Sequence, residues 1–553
     1  MSCMKNLEKK PKLLYFRWPL DRAPQFVKAL FDRIFIDGLS IHFDLEVVSD
    51  SGDYGEICDR LSPDICMFES GTNGLLAPEF QITNTSAHPN IPKIGFLRAD
   101  PMCNSRVAFF VDMERWGIDT FFTYVTASEE YTPELGSQMF YWPFAIAPQI
   151  YRDYGVDKVI PSLFLGNSDA LQYAWRRENK EFISSRIPTL TDRHLAWDPE
   201  TASRALYGEA YAKLINAAQF VATCGGMTKT LVNKYLEIPG SYACLVTEEI
   251  PVLHELGFKD MHNCVMGSGK PLVEKMEHLL DCPEQLMEIT KAGYELVHNN
   301  HTQAHRTQIR DYYDLIQDLR AGEEIVQDTI ASPLRKVACN SAKGTIQINS
   351  KPLDRELLMQ GLQQELSGNF IRAIELYEES HSFCNYSSEQ RFRLGNVYLQ
   401  LGQLEEAIKC FAQDIEHTTQ VMGSLEPDPL TWTYFTLCCL ISQNEDTVRT
   451  MLSSFPNMRR MERERINWLA CLVLGDDSKR VQFGEYLFQQ PPGYRRSIQV
   501  EPQRGILEQF EFWAEICAVN NVMSLADKIR LFINEARAIN SSEKALRDFF
   551  TTY

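Results

Sequence analysis

Between residues 361 and 411 the chain repeats itself. Gly361, Gly368, Ala373 and Tyr377 return as Gly395, Gly402, Ala407 and Phe411, four positions of matching type at a spacing of 34. A fixed period of this length marks a supersecondary unit that cannot bury its apolar face alone and stacks on its neighbours. A looser third copy falls at Trp432–Leu452, and apolar helices near 467–474, 506–519 and 525–536 extend or cap the stack.

Period and pattern resemble tetratricopeptide (TPR) repeats over residues 355–415. The resemblance implies an all-α solenoid, with repeats at 353–455 and a helical extension at 456–553, whose concave face binds a peptide or protein partner. A stabilising appendage or a dimer contact is the alternative.

The chain's 553 residues lead to an expectation of three or four domains. An apolar content of 44% excludes wholesale disorder, and 74 acidic against 55 basic residues argue against a nucleic-acid partner. No apolar run is long enough for a transmembrane segment, and Met1–Lys10 lacks the apolar core of a signal peptide, so a cytoplasmic location is expected. Fifteen cysteines without C-x-x-C spacing then read as reduced, mostly buried thiols.

Residues 1–155 alternate apolar strands with helical stretches: strands at 13–16, 45–48 and 65–69, helices near 25–36 and 57–61. This order predicts a parallel sheet in a Rossmann-like domain, with ligands beyond the strand carboxyl ends. Arg17-Trp18, Ser70–Asn73, Arg98 and Asp100 occupy those ends. Tyr141–Pro148 reads as a hinge into a second α/β domain, 156–322, and residues 323–352 as a linker with a small strand pair.

In the second domain an apolar strand at 220–224 runs into Gly225-Gly226, and a helix carrying Lys234 and Glu237 is expected to follow. Glycines admit close backbone approach to a phosphate, and a helix start supplies free N–H groups. Lys234-Tyr-Leu-Glu237-Ile-Pro, the strand ending Leu245-Val-Thr247 and His301-Thr-x-x-His305-Arg306 resemble the group-1 glycosyltransferases related to spore-maturation protein CgeB. The resemblance implies the GT-B fold, two Rossmann-like domains facing a cleft, and a nucleotide-sugar co-substrate, UDP-linked, with no tightly bound cofactor. It makes Glu237 the second acid of a Glu-x7-Glu pair that holds the donor nucleotide. The first acid would fall at Lys229, which leaves a phosphate role open for that lysine.

By the same resemblance Gly166 and Asn167 offer backbone N–H groups to the donor phosphates and Arg176 a cation, against the alternative of a solvated helix face at Arg176-Arg177. Gly225 and Gly226 complete the donor set. Asp100, after the strand at 93–97, is expected to be the catalytic base, the alternative being a helix cap or turn. Gly267-Ser-Gly-Lys270 lacks the upstream glycine and the following Ser or Thr of a P-loop, and reads as a strand-to-helix turn with Pro271 at the helix start. His301 and His305 lack the intervening Glu and third ligand of a zinc site, so no metal is expected.

The resulting expectation is a glycosyltransferase acting on a glycan or protein acceptor, with the repeats binding a partner. The alternatives are a non-enzymatic scaffold on a degenerate fold and a sugar-nucleotide epimerase.

Overall fold

The computed structural model describes residues 9–20, 23–70, 81–98, 105–132, 138–167, 170–192, 205–339, 346, 348–383, 387–476, 480, 483, 486–489, 504–539 and 543–552. The chain forms two compact units. One comprises 1–101 with 115–353, and the other 102–114 with 354–553.

The α/β unit holds two parallel sheets. Strands β1 (Lys12–Phe16), β2 (Asp44–Val48), β3 (Ile65–Phe68), β4 (Lys93–Leu97), β5 (Phe121–Thr123) and β6 (Met139–Tyr141) lie in the order β2-β1-β3-β4-β5-β6. Strands β7 (Ile160–Leu165), β8 (Thr189–Asp192), β9 (Ala218–Ala222), β10 (Cys244–Thr247) and β11 (Val265–Met266) lie in the order β8-β7-β9-β10-β11. Both sheets are doubly wound. A parallel sheet covered on both faces needs unbroken apolar strands, which explains Leu13–Phe16 and Ile65–Phe68, buried at every residue. In the second sheet Leu163, Leu165, Val221 and Leu245 feed one core while Phe164, Phe220, Cys244 and Val246 feed the core on the opposite face. Doubly wound parallel α/β sheets followed by an all-helical region are the fold class that the sequence leads one to expect. In each sheet the strand order reverses beside the first strand, between β1 and β3 and between β7 and β9, where such sheets take ligands.

The hinge is held by Arg306, which is buried and donates to Pro143 O (3.0 Å), Phe144 O (2.9 Å), Asn300 O (3.3 Å) and His301 Nδ1 (3.1 Å). His301 completes the clamp by donating from Nε2 to Leu256 O at 2.9 Å, and His305 Nδ1 meets Thr302 Oγ1 at 2.8 Å. The His-Thr-x-x-His-Arg motif is therefore a structural fastening of the hinge. The helix that follows, Gln308–Ile316, crosses to the first sheet, where Tyr312 packs 5.7 Å from the Phe122 ring. A hairpin of β12 (Glu323–Gln327) and β13 (Leu334–Ala338) supplies the expected strand pair. From it the Gln327 side chain accepts from Tyr141 N at 2.8 Å and donates to Tyr141 O at 2.9 Å.

In the helical unit, helices Leu353–Leu366 and Phe370–Phe383 form one pair and Ser388–Gln400 and Leu404–Glu416 the next, with Gly368 and Gly402 at positive φ in the intervening turns. Gly395 is needed for contact, since a Cβ there would lie 2.7 Å from the Phe411 ring. Further helices, Pro429–Ile441, Glu445–Ser453, Met461–Leu474, Ile506–Val519 and Met523–Ala538, share one apolar core centred on Trp468 and Trp513. The unit also takes in most of helix Ser105–Trp116, through the ion pairs Arg106–Glu389 and Arg460–Glu114.

Candidate nucleotide-sugar site

Strand β7 is followed directly by Gly166, whose φ of +102° is open to glycine and strained for any other residue. Two cations converge on this glycine. A Cβ on Gly166 would lie 2.7 Å from Lys234 Nζ and 2.9 Å from Arg176 Nη1. Arg176 sits at the start of helix α1 (Ala174–Ser184), buried instead of solvated. Its Nη1 donates to Asn167 O at 3.2 Å and its Nη2 to Thr223 Oγ1 at 2.9 Å, while its guanidinium lies 4.9 Å over the Tyr173 ring. Lys234 opens helix α2 (Lys234–Gly240) and donates to Leu165 O at 3.1 Å. Gly166, Asn167, Arg176 and Lys234 are thus brought together at the switch point of the second sheet.

Gly225 and Gly226 follow β9 at the same switch point, but no helix begins on them; after a turn in which Lys229 has a φ of +52°, α2 starts at Lys234. Gly225 serves the loop's own packing. A Cβ on Gly225 would lie 2.6 Å from Thr230 O, and its N–H donates to Glu248 Oε1 at 3.0 Å. Lys229 forms an ion pair with the same carboxylate. Glu248, the first residue after β10, therefore neutralises the lysine and ties down the loop.

Glu237 is buried on α2 and accepts from the Tyr151 hydroxyl at 2.6 Å. Burial raises its pKa, opposed by the Tyr151 hydrogen bond and by Lys234 and Arg33. Arg33 Nη1 lies 3.3 Å from the Tyr151 hydroxyl, so a polar chain from the first α/β domain ends on the carboxylate of the second.

Asp100 lies outside the described residues, as do 71–73. Gly267–Lys270 is a strand-to-helix turn closed by Asn179, which accepts from Gly269 N at 2.6 Å. Among the described residues no group of three or more His, Cys, Asp or Glu is placed to hold a metal, and no helix is long and apolar enough to cross a membrane. Thr223, Glu248 and Tyr151 were not singled out from sequence. The first two stand directly after strands and were open to the strand-end rule, whereas Tyr151 carries no such mark.

Residues 171–310 match the family model described as Glycosyl transferase-like. This glycosyltransferase-like stretch runs from Tyr173 and Arg176 through Lys234, Glu237 and Glu248 to the hinge clamp. No curated protein matches the chain. Similar solved structures include a glycosyltransferase from Rickettsia africae ESF-5 (10% identity, TM-score 0.38), Anabaena Alr3699/HepE in complex with UDP-glucose (11%, 0.36) and sucrose-phosphate synthase from Thermosynechococcus elongatus (8%, 0.40). Each covers 56% of this chain and all of its own.

Proposed function

We propose that the protein is a glycosyltransferase that moves a sugar from a UDP-linked donor to a glycan or protein acceptor. The observation that carries this reading is the convergence of Lys234 and Arg176 on Gly166, with Glu237 three residues along the lysine's helix. Two cations beside a glycine at a switch point suit a diphosphate, and a buried carboxylate on the same helix suits the ribose hydroxyls. In the reaction an acceptor hydroxyl attacks the anomeric carbon, the new C–O bond forms as the bond to the diphosphate breaks, and the diphosphate leaves with the electron pair onto Arg176 and Lys234. Asp100 is our choice for the base that takes the hydroxyl proton. The paired helices belong, in this reading, to a TPR module that binds a partner or acceptor, in a cytoplasmic protein.

A scaffold on a degenerate transferase fold is favoured by one observation, that Lys229 stands where the first acid belongs and is spent on Glu248. Thermal unfolding of the full chain with a panel of nucleotides and nucleotide sugars separates the two. A ligand at a hundred times its Kd stabilises by about 2.7 kcal/mol. Stabilisation by uridine nucleotides in the wild type, lost in Glu237→Ala, is the expected result. No shift with any nucleotide, in a protein that melts normally, would leave the scaffold.

A further inference from the structure

The first sheet has a switch point of its own, between β1 and β3, and three buried side chains crowd it with hydrogen-bonding capacity left over. Arg17 follows β1 directly and is 6% exposed. Its Nη1 is bound to Asp32 Oδ1 at 2.6 Å, while Nε and Nη2 are buried with no hydrogen-bond partner. Those two atoms form the side-on face of the guanidinium, the geometry that takes both oxygens of a carboxylate or phosphate. The indole N–H of Trp18, the next residue in the chain, is also buried and unpartnered. Arg98, at the end of β4, lies 3.2 Å from Glu69 Oε1 through an Nη1 that makes no hydrogen bond, with its guanidinium 4.5 Å over Trp18 and 4.6 Å over Phe31.

The two carboxylates nearby among the described residues are otherwise engaged. Glu69 accepts from the Tyr15 hydroxyl through Oε1 and from Trp18 N through Oε2 at 3.2 Å, and Asp32 holds only the far end of Arg17. Buried donors without acceptors are costly and rare in folded proteins, and here they gather at a strand-end switch point. A small pocket lies nearby, lined by Phe35, Tyr124, Trp142 and Arg306. Arg98 touches two of its lining residues, its guanidinium 5.7 Å over the Phe35 ring and its carbonyl accepting from the Tyr124 hydroxyl at 2.8 Å.

We propose that this cluster is an oxyanion site for the acceptor: the side-on face of Arg17, supported by Trp18 Nε1 and Arg98, holds a phosphate or carboxylate carried beside the hydroxyl that receives the sugar. The inference deepens the transferase reading and rests on it for the word acceptor; the anion site itself does not depend on the donor.

The test titrates full-length protein with glycerol 3-phosphate, glycerate and glycerol at constant ionic strength, by calorimetry and thermal unfolding, with UDP run in parallel. Glycerol 3-phosphate or glycerate should bind and glycerol should not, and the stronger of the two identifies the anion. Affinity should fall at least tenfold in Arg17→Gln and also in Arg17→Lys, whose ammonium keeps the charge without the paired donors, while UDP binding stays unchanged in both. The exposed control Arg186→Gln should leave both ligands alone. Equal binding of the anions by wild type and both Arg17 variants, or none by the wild type, overturns the site. Should the Arg17 variants fail to fold, Trp18→Phe removes one donor only, and unchanged anion affinity in it overturns the site equally. Loss of UDP binding alone, with Arg17-dependent anion binding intact, would sink the donor reading and leave the anion site standing.

Discussion

Replacing Gly166 by alanine tests the donor site at its tightest point. The new methyl meets Lys234 Nζ at 2.7 Å and Arg176 Nη1 at 2.9 Å, closer than carbon and nitrogen pack, so both cations must withdraw. Each charge-assisted hydrogen bond to a phosphate is worth about 1.5–3 kcal/mol, so losing one weakens UDP binding by roughly 10- to 150-fold, and losing both weakens it further. The backbone cost is separate, since φ at this residue is +102° and an L side chain there loses about 1–2 kcal/mol. Gly155→Ala isolates that cost. Its φ is +67°, and a Cβ there meets nothing within 4 Å. Calorimetric titration of UDP into wild type and both variants is the assay. Comparable small losses of Tm are expected in the two variants, with UDP affinity lost only in Gly166→Ala. A Gly166→Ala protein that binds UDP within threefold of wild type would refute the argument that Lys234 and Arg176 act together over this glycine.

Two further outcomes follow from the packing. Burial and the neighbouring Arg306 hold His301 at a pKa of about 4, below its ordinary 6.5. The unfolded chain takes up that proton first, so stability is complete above pH 6.5 and falls as pH drops towards 4, by about 3 kcal/mol for this group. The pH dependence of Tm between 6.5 and 4 should be shallower in His301→Gln, and coincident slopes would show that the clamp does not select the neutral ring. In the helical unit, Gly395→Ala puts a methyl 2.7 Å from Phe411, an overpacking worth about 1–3 kcal/mol, and Phe411→Leu should restore part of it. Urea unfolding of the full chain, followed by tryptophan fluorescence, reads both; an unchanged midpoint in Gly395→Ala would mean that the helices separate freely at this joint.

The fold was legible where a residue's own neighbours in sequence decide its place. Leu13–Phe16 and Ile65–Phe68 are apolar at every position because both faces of a doubly wound sheet are covered, and that pattern survives in one dimension. The 34-residue spacing is legible for the same reason, since Gly395 and Phe411 meet inside one helical pair. Lys234, Glu237, Gly166 and Arg176 could be named from strand ends and a resemblance, but their geometry could not. Helix α2 begins at Lys234 because Lys229 turns the chain at positive φ and Glu248 holds the turn from another strand, a contact 19 residues away. Arg33, Tyr151 and Glu237 are linked only once two domains face each other. Arg106 and Glu389 are paired across 283 residues, which is why the early helix's place in the helical unit carries no local signal.

Gln327 has a consequence for the first sheet as a whole. Its carboxamide presents one acceptor and one donor to the N–H and C=O of Tyr141, which is what a peptide group on a neighbouring strand would present. The side chain acts as a strand one residue long. Open sheet margins recruit other chains because their backbone groups stay unmatched, and here a single amide matches them at the outermost strand. Growth of the sheet past β6 stops at that residue, and the margin gives a foreign strand no purchase there.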